Sequence, residues 1–221
     1  MAQALKIAVG EGSVSALLDL PHGARAGYVF AHGAGAGMTH PFMAAVAAGL
    51  AARSIATLRY QFPYMEAKSK RPDAPKVAIS AVRAAVVEAA KAMPGVALFA
   101  GGKSFGGRMT SQAQAAEALP GVRGLVFVGF PLHAAGKPGD ERGAHLLEVE
   151  VPMLFLQGSR DALADLSLLQ PLVKRLGDRA TLEVLDEADH SFHVPARTGR
   201  KDADVMADLL ERMARWIGEQ A

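Results

Sequence analysis

The chain has 221 residues, half of them hydrophobic and 21% charged, with 24 Lys and Arg against 22 Asp and Glu. That is the composition of a folded globular protein, and a core of this size buries roughly 70% of the surface the unfolded chain would expose. With no cysteine, a disulfide scaffold, a thiolate nucleophile and a Cys-ligated metal are excluded. A net charge of only +2 gives no sequence-independent hold on nucleic acid.

The N-terminus lacks a basic region followed by an apolar one, so a cleaved leader is not expected. No run of 18 apolar residues is free of charge or turn residues, so no membrane span is expected either. A cytoplasmic location follows as an expectation. In chain order, Ser13–Leu20 alternates weakly, and Ala26–Ala31 is an apolar run that ends in the glycine-rich stretch 32–37. Pro41–Arg53 carries Ala and Leu at helical spacing, and Ser54–Tyr60 is a strand candidate. Ala74–Met93 reads as a long helix stopped by Pro94-Gly95. Val96–Ala100, Gly124–Phe130 and Pro152–Gln157 are buried strands, and Ser104–Leu119 and Ser167–Leu176 are helices. Ala180–Leu185 is the last strand, and Lys201–Gly218 is an amphipathic closing helix. Strands apolar on both faces, alternating with helices, predict a parallel sheet covered on both sides, and no linker or repeat divides residues 1–221. One α/β domain is expected, with its chemistry in the loops at the carboxyl ends of the strands.

Val96–Ala100 runs into Gly101-Gly102-Lys103-Ser104-Phe105-Gly106-Gly107 and then a helix. A phosphate-binding P-loop would need glycine at position 97, where Ala97 lies inside the strand, so there is no loop to wrap a phosphate. The alternative is a nucleophile elbow, Gly102-x-Ser104-x-Gly106, in which a sharp strand-to-helix turn exposes the central serine. A Gly-rich turn that merely packs a helix would show the same bare pattern; the placement between strand and helix favours the elbow. A serine nucleophile needs a base and an orienting acid, which in such folds follow in the order acid, histidine. Asp161 follows Pro152–Gln157, and His190 follows Ala180–Leu185. Asp161 could instead cap a helix or turn. Asp165 is the substitute orienter, His193 is a second histidine nearby, and Asp189 adjoins His190 too closely to orient it.

His32-Gly33-Ala34-Gly35-Ala36-Gly37 fails as a dinucleotide fingerprint, because Met38 stands where the third glycine belongs. It suits an oxyanion loop, whose amides point at a developing alkoxide. The expected donors are the amides of Ala34 and Phe105; a glycine loop without a role is the bland reading.

Ala31-His32-Gly33-Ala34-Gly35, Gly102-x-Ser104-x-Gly106, Gly158-x-x-Asp161 and Asp189-His190-Ser191-Phe192 together resemble the α/β-hydrolase superfamily over essentially the whole chain. The chain is most similar to its small lidless, dienelactone-hydrolase-like branch, and within it to predicted hydrolases related to testis-expressed protein thirty. The resemblance implies an α/β-hydrolase fold with a mostly parallel eight-stranded sheet, helices on both faces, one antiparallel edge strand and no cap domain. It also implies an esterase-like activity without cofactor or metal. Dienelactone hydrolases proper carry cysteine at the elbow, so their substrate does not transfer.

Pro131–Glu150 is too short for a cap and reads as a polar loop. Met38, Phe62, Tyr64, Met65, Leu132 and Phe192 are the expected substrate contacts, with Tyr60, Phe105 and Phe130 nearby. About half of these apolar residues are expected simply to complete the core. Lys68, Lys70, Arg71 and Lys76 form a solvated face by default, or bind an acidic substrate or partner. The leading function is a serine hydrolase acting on small carboxylic esters or thioesters, with no nucleic-acid or membrane partner. The alternatives are a small-peptide hydrolase or aminopeptidase, with Glu66 to bind the amine, and a non-catalytic binding protein. Activity is expected to rise with pH through about 6–7, the reference range for a histidine base.

Overall fold

The computed structural model describes residues 2–221. Its strands are β1 (Gln3–Val9), β2 (Gly12–Asp19), β3 (Ala26–Ala31), β4 (Ile55–Tyr60), β5 (Ala97–Lys103), β6 (Val122–Val128), β7 (Met153–Gly158) and β8 (Ala180–Leu185). The helices are α1 (Pro41–Ala51), α2 (Pro63–Glu66), α3 (Pro75–Ala92), α4 (Phe105–Ala116), α5 (Leu166–Leu176) and α6 (Asp202–Gln220). All eight strands form one sheet in the order β1-β2-β4-β3-β5-β6-β7-β8.

From β4 to β8 every neighbouring pair is parallel, whereas β2 is antiparallel to both β1 and β4. The single antiparallel strand therefore lies second from the edge rather than at it. A tight hairpin at Gly10-Glu11 places β1 outside β2, pairing Val9 with Gly12. β1 carries little apolar signal, because Ile7 alone among its residues is buried.

Strand alternation divides the core into two. In β3, Tyr28 and Phe30 face α1 and α6, and Val29 and Ala31 face the opposite layer of α3, α4 and α5. That period of two is the pleat of a strand buried on both faces. Small residues on α3 (Ala78, Ala81, Ala85, Ala89) recur at helical spacing and are all buried, which lets the helix lie close to the sheet. α1 begins with Pro41 at a position that needs no amide donor, and the His40 ring accepts the Phe42 amide at 3.2 Å.

Between β6 and β7 stand only an isolated bridge, Ala134 to Lys137, and a 3₁₀ turn over Glu141–Glu148. The segment forms no cap, but it is less polar in effect than its composition suggests. Leu132, Leu146 and Val149 are fully buried, and Arg179 holds the carbonyls of Leu147 and Val149.

Candidate active site

The turn from β5 to α4 forces Ser104 to φ 51°, ψ −117°, a region that costs a residue with a side chain of order 1–3 kcal/mol. The flanking glycines are sterically required. A Cβ on Gly102 would stand 2.5 Å from the Ala31 carbonyl oxygen, and one on Gly106 2.6 Å from that of His32. Phe105 is the first residue of α4, so its amide has no partner within the helix.

Asp161 and His190 converge on this serine from the loops after β7 and β8. With His190 Nδ1 donating to Asp161 Oδ2 at 2.7 Å, Nε2 is left to accept the Ser104 hydroxyl at 2.9 Å. The Asp161 side chain is wholly buried and that of His190 is 24% exposed. A buried carboxylate must be satisfied: Oδ1 accepts the Leu163 amide at 2.8 Å, and Oδ2 also accepts the Gln157 side-chain amide. Gln157 is held in turn, its carbonyl accepting the Phe130 amide at 2.9 Å.

The loop after β3 closes the other side. His32 is buried; Nδ1 donates to the Gly33 carbonyl at 2.8 Å, and Nε2 accepts the Phe62 amide at 3.0 Å. Burial lowers its pKa to about 4, so it is neutral and structural. The Tyr64 hydroxyl donates to the Ala34 carbonyl at 2.9 Å. Residues 62–64 thus fix the loop that carries the Ala34 amide.

A cavity of about 320 Å³ opens beside Ser104 and His190, with Ala34, Phe42, Met43 and Lys103 among its lining residues. None of the six expected substrate contacts lines it. Phe62, Tyr64 and Leu132 are buried in the layer containing α3 and α4, and Phe192 is buried in the other, stacked on Phe42 at 5.8 Å. Met38 is likewise buried. Met65 lines a neighbouring cavity of about 560 Å³ with Gln61, Lys68 and Lys70, which shares Ala34 and Gly35 with the first. The aromatic stretch reads as exposed only if it is a loop; instead α2 turns Tyr64 inward, and Phe62 packs edge-on to Phe105 at 5.3 Å. Tyr60 and Phe130 are core residues as well.

The competing titratable groups are otherwise engaged. Asp165 caps α5 through the Ser167 amide, and His193 pairs with Asp202. The Asp189 carboxylate accepts the amides of Ser191 and His193. Glu66 holds Lys6 and both the amide and hydroxyl of Ser15. Phe42 and Met43 were missed as lining residues, although their place just after the glycine loop marks them as near the site. Lys103 and Gln157, which the sequence marks only as residues of the elbow turn and of a strand, also belong to the site. Among the described residues no group of three His, Cys, Asp or Glu could hold a metal, and no helix is long and apolar enough to cross a membrane.

A parallel sheet with a serine at a strained strand–helix elbow, met by acid and histidine from later strand ends, defines the α/β-hydrolase class. Residues 24–218 match the family described as alpha/beta hydrolase domain, and the chain belongs to it. Among solved structures it is similar to a dienelactone hydrolase from Anabaena variabilis, at 21% identity and a TM-score of 0.79, with 100% of this chain and 98% of that one covered. It is also similar to an α/β serine hydrolase without a lid from Xanthomonas campestris (22%, TM-score 0.73, 97% and 94% covered). The esterase domain of a Rhodothermus marinus protein is a third (16%, TM-score 0.72, 98% and 97% covered). All three likenesses lie below 25% identity, and what they establish is the fold.

Proposed function

We propose that the protein is a serine hydrolase that cleaves small carboxylic esters or thioesters through an acyl-enzyme. The observation that carries this reading is the unbroken relay from Ser104 to His190 to Asp161 at the strained elbow. His190 Nε2 removes the Ser104 proton as Oγ attacks the carbonyl carbon, and Asp161 fixes the tautomer and offsets the imidazolium charge. The amides of Ala34 and Phe105 receive the oxyanion. Collapse expels the alcohol or thiol, protonated by His190, and water then repeats the sequence to release the acid. The esterase domain among its structural relatives supports the same chemistry.

Peptide cleavage is the less favoured reading, because Glu66, the carboxylate expected to bind a substrate amine, is tied to Lys6 and Ser15. A binding protein without activity would have no reason to keep a strained serine in hydrogen-bond reach of a histidine. The test is a fluorophosphonate probe followed by intact-mass analysis and peptide mapping. Ser104 is expected to be the one modified serine of the chain's ten. Labelling elsewhere, or none on folded protein, overturns the reading.

A further inference from the structure

Lys103 ends β5, immediately before Ser104, and its side chain lines the cavity. Its ammonium does not point into solvent. Nζ donates to the backbone carbonyl of His190 at 2.6 Å and lies 5.4 Å from the centroid of the Phe192 ring. The space it occupies exists because residue 129 is glycine: a Cβ there would stand 3.0 Å from Nζ and 3.4 Å from His190 Cε1. Ammonium and imidazole therefore flank the same point.

The groups facing the pair are few. Asp161, from the loop after β7, holds Nδ1 of His190, and Ser104 meets Nε2. Asp189, in the same loop as His190, and Asp161 both favour the charged ammonium, but burial outweighs them and lowers its pKa to about 8. It is still mostly a cation at neutral pH.

We propose that Lys103 is a positioning residue for His190: its ammonium ties down the backbone that aims the ring at Ser104. This rests on the reading of His190 as the base. The tether limits the ring's freedom, and small displacements of a base cost rate steeply.

The test compares wild type with Lys103→Met, which lacks both charge and donor, and Lys103→Gln, which keeps a neutral donor. kcat and KM for p-nitrophenyl acetate are measured on variants shown by thermal melting to be folded. In Lys103→Met, kcat should fall about tenfold with little change in KM, and Lys103→Gln should recover part of that loss. An unchanged kcat, or a loss that falls in KM instead, in a folded variant overturns the proposal, and Lys103→Gln alone decides it if Lys103→Met fails to fold. Failure of the underlying reading looks different: wild-type protein that neither labels at Ser104 nor turns over the ester removes the reading and the role of Lys103 with it.

Discussion

Ser104 sits in a conformation that suits glycine better than any residue with a Cβ. Ser104→Gly and Ser104→Ala both remove the hydroxyl, but only the first relieves the backbone. In urea unfolding, Ser104→Gly should be more stable than Ser104→Ala by about 1 kcal/mol, with both inactive. Equal midpoints would mean that the turn carries no strain. Lys103 is a second costly residue. Its folded pKa lies at about 8 against an ordinary 10.5, so between those values the unfolded chain binds the extra proton. Stability then rises with pH across that window, and the charged form is a liability below it. Relative to Lys103→Met, wild type should gain up to about 3 kcal/mol from pH 8 to 10.5. Parallel stability curves for the two proteins would contradict the buried cation.

The glycine loop after β3 has few side chains with which to hold itself, so its shape depends on the segment that runs from the end of β4 into α2. Tyr64→Phe deletes one oxygen and leaves the ring packing intact. The expected result is a loss of kcat of about tenfold with a stability change of about 1 kcal/mol, measured by ester turnover and thermal melting. Wild-type kcat in that variant would show that the loop stands without the tyrosine. Much of the site is legible at this scale because its demands are local: glycines on both sides of a serine, an acid and a histidine just past strand ends. The walls are not legible in the same way. Apolar character says that Phe62, Tyr64, Leu132 and Phe192 leave water, but not whether they meet a cavity or a helix. The course of Lys103 depends on the space left at Gly129, in the loop after another strand, and no local pattern records that. β1 was hidden for a related reason, since an edge strand with one buried residue has almost no periodic signal.

For the molecule as a whole, the absence of a cap over a cavity of about 320 Å³ sets what can be covered. Each substrate methylene gains up to about 0.8 kcal/mol only where a wall removes it from water. Phe42 and Met43 offer such walls for a short chain. Across p-nitrophenyl esters from acetate to palmitate, kcat/KM should peak or level off within the first few carbons, with no jump above the critical micelle concentration. A steady climb to palmitate would require a tunnel that this cavity does not provide.

His190 reaches the serine from beyond β8, and that strand is the sheet's weak margin. It pairs only with β7, and all but one of its residues keep some contact with solvent. Trp216, the sole tryptophan, instead packs against Phe99 of β5, ring centroids 6.0 Å apart. A margin of this kind frays before the centre melts, through partial openings that cost less than global unfolding. Urea should therefore silence catalysis at a lower concentration than it changes tryptophan fluorescence. Coincident midpoints would mean that margin and centre open together. If they separate, the working ceiling of the protein is set by its outermost strand, and reinforcing β8 raises that ceiling without touching a reacting group.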